Sequence, residues 1–490
     1  MKLLIKNIGP ISQNNQEIDL NKKVYVFLGP NNSGKTIVSQ LLWTLYKQEF
    51  VKEFSETIDI DISVFDSNKI TVSESIVSEI LGKFADYLKN ALYNTFNIEK
   101  NDKKINFILK DIDLTFKFDI AEIKDNSLKI VTQVGVKEMK NQFNFLNVTK
   151  RKRSLIFNFK EEALPEEYKL HLPQSKLQQD KSKIKKTSFI QGVMTLLLNN
   201  NNDTFYLPAS RLFYPIFYRY IYDLERQRRE KDVSRLLDIL EKKNNKKTDA
   251  NLLRNILNRP YTKPINEIFE KLYELNLKGK SNSTYDDLIM QLNKILGGSV
   301  ESNFDSEYSI AEFNFKLNTG NKSLPMYLSS SSVNQLTLLF QYFKFWAKDS
   351  GNFLMIDEPE ENLHPENQFK LIDILIQFAL KKNNRVLITT HSPLMAEILN
   401  NYIYLSKLSE FEDINMDEVF ENNNLYYLNK NISIKKQEIG AYFFTGNQII
   451  DYETDDYGVY YRNFKEVSGN VEENSKLLTD MIYLKSQPNE

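Results

Sequence analysis

The segment VYVFLGPNNSGKTIVSQLLWTLY runs from Val24 to Tyr46 and contains the pattern G-x-x-x-x-G-K-[ST]. Its first five residues are all apolar, which predicts a buried strand. After the glycine-containing turn, apolar residues recur at the spacing of an amphipathic helix, at Ile37, Leu41, Leu42 and Leu45. The segment therefore predicts a strand, a phosphate-binding loop and a helix in direct succession.

The loop of this segment is predicted to bind the phosphates of ATP. It consists of Gly29, Pro30, Asn31, Asn32, Ser33, Gly34, Lys35 and Thr36. Glycine lets the backbone wrap around a phosphate chain so that amide N–H groups point inward, and the helix N-terminus adds a favourable dipole. In this pattern Lys35 is expected to reach the β- and γ-phosphates as a catalytic residue, and the Thr36 hydroxyl is expected to bind Mg²⁺.

A second motif, FLMIDE, lies far downstream at residues 353–358. Four apolar residues predict a strand that ends at two acids. Asp357 is a candidate Mg²⁺ ligand, directly or through water, and Glu358 is a candidate general base that polarises the attacking water. The alternative is a buried strand that ends at a solvated acidic turn, and the P-loop in the same chain disfavours it.

Two further motifs contain polar groups suited to a nucleotide. His391 directly follows the apolar strand RVLITT and is a candidate catalytic residue that donates to the γ-phosphate and senses its loss. Ser330 and Ser331 belong to the run LSSSSVNQL ahead of an apolar helix, where hydroxyls and free amides form an anion site. A serine-rich N-cap without a ligand is the alternative interpretation of that run.

In this order the four motifs resemble the ABC-type ATPase heads of SMC-like, RecF-like and OLD-like proteins. The P-loop resembles Walker A, LMIDEPEENLHP resembles Walker B with the catalytic glutamate and the D-loop, TTHSP resembles the switch histidine, and the serine run resembles the signature motif. The resemblance is closest to OLD-like ATPases of bacterial anti-phage defence systems, which share YLPASR (Tyr206 to Arg211), DEPExNLHP and THSP. A C-terminal TOPRIM nuclease is not expected, because no glutamate-bearing strand precedes the acidic cluster of Asp451, Asp455 and Asp456.

The resemblance implies a homodimer, or a higher oligomer, in which each ATP lies between Walker A of one subunit and the signature of the other. Ser330 and Ser331 would then meet the γ-phosphate bound by the partner. Ser332 stands where many relatives have glycine, and its β-carbon is expected to slow hydrolysis more than it weakens binding. Arg211 is expected either to touch the nucleotide or the dimer seam, or to be an exposed arginine after a core strand.

The favoured function is a homodimeric ATPase that acts as the sensor or regulatory subunit of an anti-phage defence complex, with a separate effector protein such as a nuclease. One alternative is a nucleotide-gated scaffold with little turnover, which Ser332 favours. Another is a DNA-repair or recombination ATPase of RecF type, for which the basic clusters at 150–153 and 226–231 are candidate nucleic-acid contacts. Such clusters also occur on solvated faces.

Alternating strand and helix patterns predict an α/β fold: an ABC-ATPase head with a mixed or parallel sheet, an antiparallel β-layer from about 105 to 159 and a helical insertion. The lysine-rich stretch 165–187 predicts a loop. The long separation of the two Walker motifs is unlike a Ras-like or AAA+ module and suits a head split by an insertion. We expect an N-terminal lobe of the head, the insertion, a C-terminal lobe and a β/α extension at 1–212, 213–298, 299–412 and 413–490.

Composition narrows the class of protein. Lys+Arg 64 and Asp+Glu 65 give a formal net charge of −1, which disfavours a globally basic nucleic-acid binder. The absence of cysteine excludes disulfides, zinc ribbons and thiol catalysis. No apolar run approaches the roughly 20 residues that cross a bilayer, and the first residues do not resemble a signal peptide. A cytoplasmic protein without membrane contact is therefore expected.

Overall fold

The computed structural model describes most of the chain. The described residues are 1–60, 67–100, 102, 105–120, 128–132, 143–151, 154–160, 174–198, 203–241, 261–275, 282–305, 310–320, 322–423, 425, 428–452, 459, 469 and 472–479.

The strands and helices are numbered in chain order. The strands are β1 (Lys2–Lys6), β2 (Glu17–Asp19), β3 (Val24–Leu28), β4 (Lys69–Val72), β5 (Asp113–Lys117), β6 (Leu128–Thr132), β7 (Phe143–Arg151), β8 (Ser154–Phe159), β9 (Asp203–Leu207), β10 (Gly298–Asp305), β11 (Ile310–Leu317), β12 (Ser323–Pro325), β13 (Asn352–Asp357), β14 (Arg385–Thr390), β15 (Ile439–Phe444) and β16 (Ile449–Asp451). The helices are α1 (Lys35–Tyr46), α2 (Gln48–Thr57), α3 (Glu74–Thr95), α4 (Gln174–Leu198), α5 (Tyr214–Glu241), α6 (Lys263–Tyr273), α7 (Asp286–Leu296), α8 (Ser331–Gln341), α9 (Pro365–Leu380), α10 (Pro393–Leu408) and α11 (Met416–Asn422).

Six strands form the central sheet in the order β16-β15-β3-β14-β13-β9. Neighbouring strands are parallel from β15 to β9, and the edge strand β16 is antiparallel. Leu28 of β3 pairs with Thr390 of β14, and Thr389 of β14 pairs with Asp357 of β13. Because parallel strands end at the same edge of a sheet, the P-loop, the acidic pair and the histidine motif meet there.

Side chains of β3 alternate between two hydrophobic cores. Val24, Val26 and Leu28 face a core built with helices α5 to α10. Tyr25 and Phe27 face a second core built with α1 to α4. All five residues are buried, so the fully apolar pattern of this segment reflects a strand covered by helices on both faces.

Three antiparallel sheets accompany the central sheet, in the strand orders β2-β1-β5, β4-β8-β7-β6 and β10-β11-β12. The antiparallel layer predicted from 105 to 159 is present, but its strands belong to two sheets, since β5 pairs with β1 while β8 pairs with β4. Asn106–Ile108 forms a short 3-10 helix instead of a strand. The predicted α/β class with a mixed central sheet and added antiparallel strands is confirmed.

The loop predicted for 165–187 is wrong from Gln174 onward, because α4 begins there. The apolar side of this helix lies in its second half, where Phe189, Ile190, Val193, Met194 and Leu197 are buried. Earlier in the helix, the lysines that suggested a loop have acceptors: Lys185 Nζ lies 2.7 Å from Asn68 Oδ1, and Lys186 Nζ lies 2.9 Å from the Ile58 carbonyl oxygen. Tertiary contacts therefore stabilise a helix whose sequence lacks a clear helical spacing of apolar residues.

The helical character predicted for 213–298 is confirmed by α5, α6 and α7. Ile268 and Leu288 are fully buried in the same core as Val24, so these helices pack against the central sheet. Lys47 Nζ, just after α1, lies 2.5 Å from Glu267 of α6. The division of the chain into four units stays a prediction. Among the described residues, no helix is long and apolar enough to span a membrane.

Candidate functional site

The P-loop follows β3 directly, and its last two residues, Lys35 and Thr36, are the first two residues of α1. Gly29 has a φ of 142°, and a β-carbon there would lie 2.2 Å from the carbonyl oxygen of Phe444 in β15. Gly34 has a φ of 98° and occupies the N-cap position of α1, where no side chain caps the helix. The loop therefore requires glycine at both positions, and the first amides of α1 are left for a ligand.

Lys35 points back over the loop. Its Nζ donates to the carbonyl oxygens of Gly29 at 2.8 Å and Pro30 at 2.9 Å. Burial lowers the pKa of Lys35 to about 8, while Glu358 and Asp357 act in the opposite direction. The ammonium group thus lies inside the cradle that the sequence predicted, close to two carboxylates.

Asp357, the last residue of β13, is 3% exposed. It accepts hydrogen bonds from Thr36 Oγ1 at 2.9 Å, Tyr206 OH at 2.6 Å and Thr389 Oγ1 at 3.0 Å. Burial raises the pKa of Asp357, and these three hydrogen bonds oppose the shift.

The pair of Thr36 and Asp357 fits a magnesium ion. Mg²⁺ prefers oxygen ligands and keeps several waters, and a hydroxyl and a carboxylate 2.9 Å apart supply that chemistry. Both carboxylate oxygens of Asp357 already accept hydrogen bonds, so a bridging water is the favoured mode of contact.

Glu358 and His391 form a pair beside Lys35. His391 Nε2 lies 2.5 Å from Glu358 Oε1 and 3.4 Å from Lys35 Nζ. Glu358 has a φ of 46°, in the left-handed region that is uncommon for residues other than glycine. Its N–H donates to the Thr389 carbonyl oxygen at 2.9 Å. The structure thus brings together the catalytic residues predicted from three separate motifs.

Two acids of the DEPEENLHP motif were assigned no role from the sequence. Glu360 is buried, and it accepts hydrogen bonds from the Thr390 hydroxyl and from the His391 N–H at 3.3 Å. Burial raises the pKa of Glu360. Burial and the neighbouring Glu358 raise the pKa of Glu361 to about 7. Glu360 therefore fixes the backbone at the start of the histidine motif.

The serine run lies at the N-terminus of α8. Ser330 is its N-cap and accepts a hydrogen bond from the Val333 N–H at 3.3 Å. The hydroxyls of Ser330 and Ser332 are 2.9 Å apart. Ser330 and Ser331 are exposed, and among the contacts of the described residues none joins them to the P-loop of the same chain.

Arg211 is fully buried, so the alternative of an exposed arginine is wrong. Its four hydrogen bonds go to carbonyl oxygens of the chain itself, those of Pro208, Gln335, Asp357 and Glu358. Burial lowers the pKa of Arg211 to about 10, which leaves the guanidinium charged at neutral pH. The sequence signal was the motif YLPASR, but its residue types alone do not tell a buried arginine from an exposed one.

Several residues singled out from the sequence lie outside the described part of the chain. They are His171, Lys152, Arg153, Asp455 and Asp456. The basic cluster at 150–153 and the acidic cluster near 455 therefore keep the status of sequence predictions.

Residues 1–396 match the model of a family described as the AAA ATPase domain. The chain belongs to this family. The match spans the P-loop, the acidic strand end and the histidine motif together with the long segment between them. ATP binding, typically with Mg²⁺, and ATPase activity in general follow from membership of the family. No curated protein sequence matches the chain.

The solved structures that are similar to the chain include two Smc heads, both with low superposition scores. One is the Smc head domain with an extended coiled coil bound to the C-terminal domain of ScpA from Pyrococcus furiosus, with 13% identity, 81% of this chain and 90% of that chain covered, and a TM-score of 0.30. The other is the SmcHead bound to the C-winged helix domain of ScpA, with 12% identity, the same coverage of 81% and 90%, and a TM-score of 0.30. The family match and the sheet topology, not these superpositions, carry the assignment as an ATPase.

Proposed function

We propose that this ATPase binds ATP and Mg²⁺ at the P-loop and hydrolyses ATP with Glu358 as the general base. One observation carries the proposal: Thr36 of the P-loop donates to Asp357 of the acidic strand at 2.9 Å, although the two motifs lie far apart in the chain. If Lys35 and Asp357 lay on distant surfaces of the protein, this proposal would have no structural support.

In the proposed reaction, the loop amides and Lys35 hold the triphosphate, and Thr36 and Asp357 hold the metal. Mg²⁺ bound at this pair would neutralise charge that develops on the phosphoryl oxygens. A water molecule attacks the γ-phosphorus, the bond to the β–γ bridging oxygen breaks, and Glu358 takes the proton from the water. The contact of His391 with Glu358 at 2.5 Å joins the base to the residue expected to sense the γ-phosphate.

The dimer is part of the proposal. Ser330 and Ser331 are exposed at the N-terminus of α8, whereas the helix is buried from Val333 onward. The exposed hydroxyls at this helix N-terminus form a donor site on the surface. In a homodimer this site would close over the γ-phosphate bound by the other subunit.

The biological role that we propose is sensing or regulation in a bacterial anti-phage defence complex, with a separate effector protein such as a nuclease. Its support is the set of OLD-like motifs YLPASR, DEPEENLHP and THSP. The structural support is that YLPASR and DEPEENLHP contact each other, through the hydrogen bond of Tyr206 to Asp357 at 2.6 Å.

Steady-state release of phosphate tests the assigned base. Glu358→Gln keeps the size of the side chain and removes the basic carboxylate, so we expect turnover to fall by about 100-fold or more while ATP binding is retained. Glu366→Gln is the matched control and should hydrolyse ATP like the wild type, because Glu366 is a partly exposed acid in the first turn of α9 that pairs with Lys370. Equal rates in the wild type and Glu358→Gln would refute the assignment.

A nucleotide-gated scaffold is the second candidate, and one contact favours it. The Ser332 hydroxyl is 2.9 Å from that of Ser330, so the residue that replaces glycine also engages one of the predicted ligands of the phosphate. This candidate predicts dimerisation on ATP addition with almost no release of phosphate by the wild type.

A further inference from the structure

Arg211 lies between the start of α8 and the end of β13. Its Nε donates to the Gln335 carbonyl oxygen at 3.2 Å. Its Nη1 and Nη2 donate to the carbonyl oxygens of Asp357 at 2.5 Å and Glu358 at 3.0 Å. One planar group therefore holds the helix of the serine run and the backbone of the proposed base.

The geometry uses properties that lysine lacks. A guanidinium presents donors in a fixed plane and can bond two successive carbonyl groups, whereas an ammonium is a point donor on a flexible stem. Burial of a cation is costly, and an apolar side chain of similar size commonly serves stability as well or better. A fully buried arginine at this position therefore points to a role other than packing.

The contact on the helix side lies one turn from the serine run. Ser331 and Gln335 are neighbours at the i, i+4 spacing of α8. The Gln335 side chain also donates to the Ala209 carbonyl oxygen at 3.4 Å, so the short helical segment Ala209–Phe213 is joined to α8 in two ways. A shift of the first turns of α8 would thus be passed to Arg211 and from there to the Glu358 backbone.

We propose that Arg211 is a positioning residue that couples the engagement of the serine run to the placement of Glu358. This inference rests on the proposed function, in which Ser330 and Ser331 contact the nucleotide bound by the partner and Glu358 acts on the nucleotide bound by its own chain, so that Arg211 would link the two sites of the dimer. The hydrogen bonds of the guanidinium go to backbone carbonyl oxygens of its own chain. These bonds fix the left-handed turn at Glu358, whose φ is 46°, relative to α8.

The test compares Arg211→Lys with Arg385→Lys. Arg385 is the matched control because it is also buried and donates to a carbonyl oxygen, that of Leu20 at 3.1 Å, but it lies at the opposite end of β14 from the site. Amide hydrogen exchange of residues 331–341 and 354–361 is measured without nucleotide, together with kcat and KM for ATP well below the melting temperature of each variant.

Arg211→Lys is expected to speed exchange in both segments by about fivefold or more and to lower kcat about tenfold, with KM within about twofold of the wild type. Arg385→Lys should leave exchange in both segments and kcat unchanged even if its melting temperature falls. Faster exchange in one segment alone, or an unchanged kcat in Arg211→Lys, overturns the inference. If the wild type releases no phosphate, the proposed function fails, while the exchange data still decide whether Arg211 joins the two segments.

If Arg211→Lys does not fold, the surface variant Ser331→Ala tests the same coupling. ATP is expected to slow exchange of 354–361 in the wild-type protein, and Ser331→Ala should reduce that protection although Ser331 lies in another segment. Full protection in Ser331→Ala contradicts the coupling.

Discussion

At the end of β13, Asp357 is 3% exposed and accepts hydrogen bonds from three side chains of its own chain. At the start of α8, Ser330 and Ser331 are exposed, and the hydroxyl of Ser330 is paired with that of Ser332. The first region is assembled within one chain from four distant stretches of sequence, around residues 36, 206, 357 and 389. The second presents donors outward. This difference fits the proposed dimer, in which one chain would build the metal-binding side of the site and offer the other side to a partner.

The largest effect should come from separating these two regions into different subunits. Lys35→Ala removes the phosphate ligand, and Ser331→Tyr blocks the serine run, so each variant alone should lose ATPase activity. When the two are mixed and allowed to exchange subunits, half of the dimers are mixed and each contains one intact site, so roughly a quarter of the wild-type rate should return. Phosphate release is the measurement.

Two outcomes of this mixing experiment would change the comparison. No recovery in a mixture shown to exchange subunits would contradict a shared site. Full activity of Ser331→Tyr by itself would show that the P-loop region works without the serine run. Lys35→Ala alone, carried through the same subunit-exchange procedure, is the control for residual activity.

Tyr206→Phe should have the next largest effect, because it removes one of the three donors to Asp357. A hydrogen bond to a charged group contributes about 1.5–3 kcal/mol, so we expect the Mg²⁺ concentration for half-maximal activity to rise about tenfold. Tyr342→Phe is the matched control, since the Tyr342 hydroxyl is buried without a hydrogen-bond partner among the described residues. An unchanged Mg²⁺ requirement in Tyr206→Phe would show that Asp357 is held well enough without it.

The same two regions show what a sequence alone can predict. The P-loop and the acidic pair are local patterns, since an apolar strand leads directly into each of them, and the parallel sheet then brings their ends together. Thr389 and Tyr206 were not predicted as partners of Asp357, because they come from other strands and only the pairing of β13 with β14 and β9 places them there.

Burial was the harder property to predict. Arg211 follows a core strand and its residue type favours the surface, yet carbonyl oxygens from three segments surround it, and such a set is not visible in a local window. The lysine-rich start of α4 was assigned to a loop for the same reason, since the acceptors of Lys185 and Lys186 lie in distant parts of the chain.

Ser332→Gly sharpens the comparison at the serine run. If the β-carbon hinders close approach of the partner's phosphate, glycine should raise turnover by about two- to fivefold and cost about 0.5–1 kcal/mol of stability in the first turn of α8. Ser332→Ala keeps the β-carbon and removes the hydroxyl, so it should not raise turnover. An equal gain in both variants would assign the effect to the hydroxyl contact with Ser330.

Asp373 provides a half-buried carboxyl away from both regions, and its replacement should leave turnover unchanged. It lies on α9, and the Tyr402 hydroxyl of α10 donates to it. Burial raises the pKa of Asp373 from 3.8 to about 6, opposed by that hydrogen bond. Because the folded-state pKa is the higher one, the neutral acid favours folding below pH 4, and this contribution is lost as the pH rises through about 6.

Asp373→Asn keeps an acceptor for Tyr402 and cannot ionise. We expect it to stabilise the protein by about 1–3 kcal/mol at pH 7.5 and by roughly a third of that at pH 4.5, since a shift of one pKa unit corresponds to about 1.4 kcal/mol. Chemical unfolding of the wild type and Asp373→Asn at the two pH values measures the difference in their free energies of unfolding. The contributions of the other titrating groups cancel in this difference. A gain of the same size at both pH values would mean that ionisation of Asp373 does not destabilise the folded state. A fall in turnover would show that the region around α9 and α10 also contributes to the site. The site would then depend on a third region besides the end of β13 and the start of α8.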